Sequence, residues 1–199
     1  MTVIVEDRLS MENMYAPPTE YIDNIKVWYE DEEQEDGTTV QMRRIDSRAR
    51  NTSEDFENKK VVVFSLPGAF TPTCSNYQLP DFNRLYDQFK KEGIDNIYCI
   101  SVNDSFVMNA WAKHHNIQNV KVLPDGNSEF TSGMGMLVEK SNLGFGKRSW
   151  RYAAVIAAGS VEKIFEEPGK EDNCPGDPYG VTSPQNILSY LKGEEYKEK

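Results

Sequence analysis

From residue 60 onward, the apolar positions follow two rhythms. Short solid apolar runs alternate with longer stretches that place an apolar residue every third or fourth position. The runs at 60–66, 97–102 and 120–123 are rich in Val, Ile and Leu and predict buried strands. Between the first two, Phe82, Leu85, Tyr86 and Phe89 fall at helical spacing, with Pro80 predicting a break or kink and Gly93 a C-terminal stop. Asn103-Asp104-Ser105 offers cap chemistry to a helix predicted to carry Phe106, Val107, Ala110 and Trp111 on one side. Pro124-Asp125-Gly126 ends the third strand, and a short helix is predicted over 128–134. Residues 150–157 and 161–166 predict a hairpin that turns at Ala158-Gly159. A last helix starts at Ser183-Pro184 and runs through Ile187, Leu188 and Leu191. Strands alternating with helices, then a hairpin and a closing helix, predict an α/β sandwich of thioredoxin-like type, a mixed sheet flanked by helices.

Upstream the pattern weakens. Residues 1–20, with Pro17-Pro18, read as a loose arm, and 21–195 as one domain. Within it, 21–28 and 39–42 predict short strands joined by an acidic loop near 30–37, and 53–58 a turn or short helix. A chain of 199 residues suffices for one domain with its own core. The net charge of −10 disfavours nucleic acid as a partner, because phosphate binding needs clustered Lys and Arg. Arg43, Arg44, Arg48 and Arg50 follow an acidic run and read as a charge-mixed surface. No apolar stretch approaches the ~18 residues of a membrane span, and the acidic start lacks the pattern of a secretion signal. Three cysteines make no disulfide scaffold; they suit a reducing, cytoplasmic location where thiols do chemistry. His114 and His115 are helical neighbours that point in different directions and do not close on one metal. Neither a metal nor a cofactor is expected.

The candidate chemistry lies in Pro67-Gly68-Ala69-Phe70-Thr71-Pro72-Thr73-Cys74, directly after the first strand. Thr71 is a good N-cap, and Pro72 at the first helical position loses an amide that would go unpaired anyway. Cys74 then sits in the first turn, where free N–H groups and the positive dipole end stabilise a thiolate over a thiol. The thiolate is the nucleophile. Free cysteines mostly serve as buried apolar filler, but filler needs no polar cup around it.

The stretches FSLPGAFTPTCS, IYCISVNDSFVMNAWA, VKVLPDG and RSWRYAAVI resemble the peroxiredoxins, specifically the subgroup called type II or type five, over about residues 60–191. The resemblance implies a thioredoxin fold, commonly a homodimer, and a thiol peroxidase that reduces hydrogen peroxide and small organic hydroperoxides through a sulfenic acid. It implies that Cys74 is the peroxidatic cysteine, Thr71 the threonine that hydrogen-bonds peroxide and thiolate, Pro67 the shield of the pocket, and Arg151 the active-site arginine. Arg148 is the rival arginine, and sequence physics alone does not rank the two. Chemically, a guanidinium supplies a permanent cation with a donor fork, and Thr71 with the Cys74 amide adds donors for the reacting oxygens.

Two thiols are candidates to resolve the sulfenic acid. Cys99, on a predicted buried strand, matches a cysteine often present in the subgroup. Cys174 lies in a polar loop, Glu171-Asp172-Asn173-Cys174-Pro175-Gly176, read as able to move. Internal resolution by Cys174 stands beside direct reduction by glutathione, glutaredoxin or thioredoxin. A different class of function is a redox-sensing protein oxidised stoichiometrically at Cys74. A dithiol oxidoreductase is disfavoured, because Ser75 and Tyr77 stand where a C-x-x-C motif needs a second cysteine.

Overall fold

The computed structural model describes residues 3–7, 25–33, 39–47 and 56–194. The chain divides into two compact units, Met1–Thr52 and Ser53–Lys199. The first contains an antiparallel sheet of β1 (Val3–Asp7), β2 (Ile25–Glu33) and β3 (Thr39–Ser47), in the order β1-β3-β2. The predicted loose arm therefore includes a strand, while residues 8–24 lie outside the described residues. Much of the predicted acidic loop is also strand. Pairing sets Glu30 opposite Met42, Asp31 opposite Gln41, Glu32 opposite Val40 and Glu33 opposite Thr39. The unit boundary between Thr52 and Ser53 differs from a single domain beginning at residue 21.

The second unit is built on five strands in the order β10-β9-β4-β5-β6: β4 (Lys60–Ser65), β5 (Asn96–Ser101), β6 (Lys121–Pro124), β9 (Tyr152–Ala157) and β10 (Ser160–Glu166). β4, β5 and β6 run parallel, β9 pairs antiparallel with β4, and β10 pairs antiparallel with β9. β4 is apolar throughout because both of its faces are covered. Val62 and Phe64 join one core with Leu79, Phe82, Phe89, Met108, Trp111 and Ile187. Val61 and Val63 join another with Phe56, Tyr98, Tyr152 and Met136. The helices are α1 (Leu79–Arg84), α2 (Tyr86–Lys91), α3 (Ser105–His114), α4 (Glu129–Gly133) and α5 (Pro184–Lys192). This is the thioredoxin-like α/β sandwich the pattern predicts. A small hairpin of β7 (Leu137–Glu139) and β8 (Lys147–Ser149) is an addition whose short strands carry too little periodicity to be read.

Local signals perform as their physics requires at most boundaries. Asp104 caps α3 by accepting from Val107 N at 2.9 Å, and Ser183 caps α5 ahead of Pro184. Ala158 and Gly159 both take positive φ, the geometry of a tight hairpin turn. Two readings change. The helix that follows Cys74 breaks at Leu85 rather than at Pro80. α3 buries Met108, Trp111 and Ala112 while Phe106 and Ala110 face solvent, because Trp111 Nε1 donates to Ser75 Oγ at 2.9 Å and sets the helix rotation.

The rings of Phe64 and Phe82 stack at 4.0 Å and fix α1, the continuation of the Cys74 helix, to the central strand. Replacing Phe82 with Ala is expected to cost about 3–5 kcal/mol, read as a lower urea midpoint at unchanged slope.

Candidate active site

The candidate site lies beyond the C-terminal ends of the parallel strands β4 and β5. Leaving β4, the chain buries Pro67 and Gly68 and turns through Phe70, whose φ of 62° lies in the left-handed region. The turn is held from β5: Asn103 Oδ1 accepts from Ala69 N at 3.0 Å and from Ser101 Oγ at 2.7 Å. Gly68 lets Arg148 approach closely, since a Cβ there would lie 3.2 Å from Arg148 Nη1. The Thr71 hydroxyl donates to Gly68 O at 2.8 Å. That bond engages the hydroxyl proton and leaves the Thr71 Oγ1 lone pairs as acceptors.

The helix begins at Pro72, and its first i→i−4 bond runs from Ser75 N to Thr71 O. The amides of Thr73 and Cys74 precede that ladder. Cys74 opens a π-helical turn, Cys74–Gln78, closed by Leu79 N on Cys74 O. The turn has a local cause in Pro80. Proline lacks the N–H for an ordinary i→i−4 bond and crowds the carbonyl four residues back, and the wider turn absorbs both. Such turns recur at functional sites.

Cys74 is fully buried, and Arg151 Nη1 lies 3.5 Å from its sulfur. Arg151, between β8 and β9, is only 1% exposed. The same Nη1 donates to Gln78 Oε1, Nη2 donates to Asp177 Oδ1, and Nε donates to Pro178 O at 2.9 Å. The Tyr179 ring lies 5.7 Å from the guanidinium carbon. Burial opposes the charge, but the attraction of Cys74 and Asp177 outweighs it and raises the Arg151 pKa above the ordinary arginine value. Four of its five N–H groups thus have partners among the described residues, leaving one.

Arg148 does something else. Its Nε donates to Phe145 O and its Nη1 to Val102 O, so it braces the Gly68 turn and not the sulfur. Cys99 is sealed in β5 opposite Phe64. Burial first, and Cys74 second, push its thiol pKa well above the ordinary 9.0.

Cys174 is half-buried on a loop that is stitched down rather than free. Asp172 Oδ1 accepts from Glu139 N, Asn142 bonds Asn173 twice, and Lys140 Nζ donates to Cys174 O at 3.3 Å. Downstream, the buried Glu167 carboxylate accepts from Gly180 N, Thr182 N and Thr182 Oγ1. All three cysteines are free thiols. His114 and His115 lie at the end of α3 with their ring centroids 5.0 Å apart, and the His114 ring is 5.9 Å from that of Phe70. No cluster of three His, Cys, Asp or Glu able to hold a metal occurs among the described residues.

Sequence reasoning missed Gln78, Asp177 and Glu167. Gln78 was reachable, since a residue four places after Cys74 shares its helical face. The other two carry no local signal.

A buried thiol beside a guanidinium at the edge of a thioredoxin-like sheet defines a thiol-based oxidoreductase. The Redoxin family profile matches residues 37–177. Over 147 residues, 74% of this chain and 82% of the relative, the sequence is 64% identical to Peroxiredoxin of Rhizobium etli. The fold is similar to the crystal structure of the Plasmodium falciparum antioxidant protein, a 1-Cys peroxiredoxin: TM-score 0.70, 42% identity, 77% of this chain and 87% of that one. It is likewise similar to reduced Prx3 of Vibrio vulnificus in complex with H2O2: TM-score 0.66, 37% identity, 77% and 86% coverage. The chain belongs to the peroxiredoxin family and is a thiol peroxidase.

Two measurements check the site. Glu167→Ala is expected to accelerate amide hydrogen exchange at Gly180 and Thr182, which lose their acceptor, while exchange in β4 stays slow. Burial also raises the Tyr152 pKa, so Cys99 and Tyr152 stay protonated in the fold at pH values where the unfolded chain ionises. Stability is then full below the ordinary thiol and phenol values of 9.0 and 10.0 and declines as pH rises past them, measured by urea denaturation across that range.

Proposed function

We propose that Cys74 is the peroxidatic nucleophile, a reading carried by the 3.5 Å approach of the buried Arg151 Nη1 to its sulfur. The thiolate attacks the terminal oxygen of a hydroperoxide. An S–O bond forms, the O–O bond breaks, sulfur is oxidised by two electrons, and the alcohol or water leaves after taking a proton from solvent. Arg151 stabilises negative charge on the sulfur and then on the departing oxygen. Thr71 Oγ1, its proton held by Gly68 O, accepts the O–H of the peroxide and aligns it. Pro67 walls the pocket against water. Hydrogen peroxide and small organic hydroperoxides fit this arrangement.

The sulfenic acid at Cys74 is then reduced from outside, by glutathione, glutaredoxin or thioredoxin. The support is twofold: Cys99 is sealed in β5, and the Cys174 loop is tied at Glu139, Lys140 and Asn142. Internal closure onto Cys174 would first have to break those ties. The free thiols fit a reducing, cytoplasmic setting, and a homodimer belongs to the same reading. Sedimentation checks that assembly.

Cys74→Ser is expected to abolish peroxide consumption in a folded protein; retained turnover would remove Cys74 as nucleophile. Arg151→Ala should slow the first oxidation by about 10²–10³ in stopped-flow fluorescence. After one equivalent of peroxide without added thiol, intact mass should show a trappable sulfenic acid. A loss of two hydrogens would restore Cys174 as the resolving thiol.

A further inference from the structure

Gln78 holds one polar atom without a partner in the best-shielded part of the site. Its side chain is completely buried; Oε1 accepts from Arg151 Nη1, and Nε2 has no hydrogen-bond partner. The amide orientation is set chemically. Turning it over would put two donors, Nε2 and the guanidinium, face to face. The same Nη1 touches both Cys74 Sγ and Gln78 Oε1, and the two residues begin and end one π-helical turn. The unpaired donor thus sits on the same amide group that shares Arg151 Nη1 with the sulfur. Buried amide groups are nearly always paired, so an exception beside the reacting atom calls for an acceptor that arrives during the reaction.

We infer that Gln78 Nε2 is the donor that receives the oxygen atom transferred to Cys74. This rests on Cys74 being the peroxidatic sulfur. As the thiolate attacks, the S–O bond forms and the O–O bond breaks. The transferred oxygen keeps its proton, and its lone pair accepts the Nε2–H bond, while the leaving oxygen is protonated from solvent. An interaction that is missing in the ground state and made in the transition state raises the rate of the chemical step itself. Arg151 aims the amide through Oε1, so one guanidinium both stabilises the sulfur and orients the donor that meets the product. Gln78 is on this account a catalytic residue for oxygen transfer, not only a prop for Arg151.

The test compares two electrophiles on one sulfur, in a Cys174→Ser background that removes the half-buried thiol and leaves Cys74 beside the sealed Cys99. Hydrogen peroxide delivers an oxygen; iodoacetamide delivers none. Gln78→Glu keeps an acceptor for Arg151 and removes the donor, whereas Gln78→Met keeps the shape and removes both; circular dichroism checks folding of each. The ratio of the peroxide rate constant to the iodoacetamide rate constant is expected to fall about 10²-fold in Gln78→Glu, where Arg151 keeps its acceptor, and at least as far in Gln78→Met, where Arg151 loses it too. An unchanged ratio in Gln78→Glu, even beside a lowered one in Gln78→Met, overturns the inference and leaves Gln78 as a support for Arg151. Adding Cys74→Ser should abolish both reactions. If peroxide is still consumed in that variant, the assignment of Cys74 fails instead.

Discussion

A guanidinium with almost no contact with water governs this site. An arginine cannot shed its charge in a protein, and leaving a buried charge unpaired costs several kcal/mol. Arg151 must therefore gather partners, and those partners come from separate parts of the second unit: the π-turn supplies Cys74 and Gln78, and the loop before α5 supplies Asp177 and Pro178. The requirement is mutual. Cys74 and Asp177 keep the arginine charged inside the protein, and the arginine holds both segments against the sheet.

The backbone at the nucleophile is shaped for the same end. Phe70 in a left-handed conformation, which a bulky residue resists, and Gly68 close against Arg148 make a tight turn. Asn103 and Ser101, from the neighbouring parallel strand, hold that turn from below. The π-turn then adds width to the helix where the sulfur, the Gln78 amide and the guanidinium must fit side by side. Pro80, read alone as a breaker, is better understood as the residue that makes the wide turn necessary.

The loop carrying Cys174 shows how rigid a polar segment can become. Its composition suggests mobility, yet side chains and backbone from the small β7–β8 hairpin bind it along its length. Glu167 extends the clamp toward α5 with three donors on one buried carboxylate oxygen. These ties fix the half-buried Cys174 thiol to the hairpin.

Much of the second unit was legible in the sequence because its signals are local. A solid apolar run marks β4 since both faces are covered; Asp104 and Ser183 announce helix starts; Pro72 places Cys74 in a first turn. These depend on residues a few places apart, so a linear reading recovers them. The rotation of α3 was not legible, being set by a Trp111 bond to Ser75 across 36 residues. Nor was the choice between Arg148 and Arg151, two cations three places apart in a chain. Arg151 reaches Cys74 across 77 residues, Gln78 across 73 and Asp177 across 26. By itself, the sequence determined that a cysteine would stand at a helix entrance after a buried strand. Which arginine faces it, and which carboxylate holds that arginine, was decided only by the packing of the sheet and its loops, because electrostatics and hydrogen bonds act on distance in space and ignore distance along the chain.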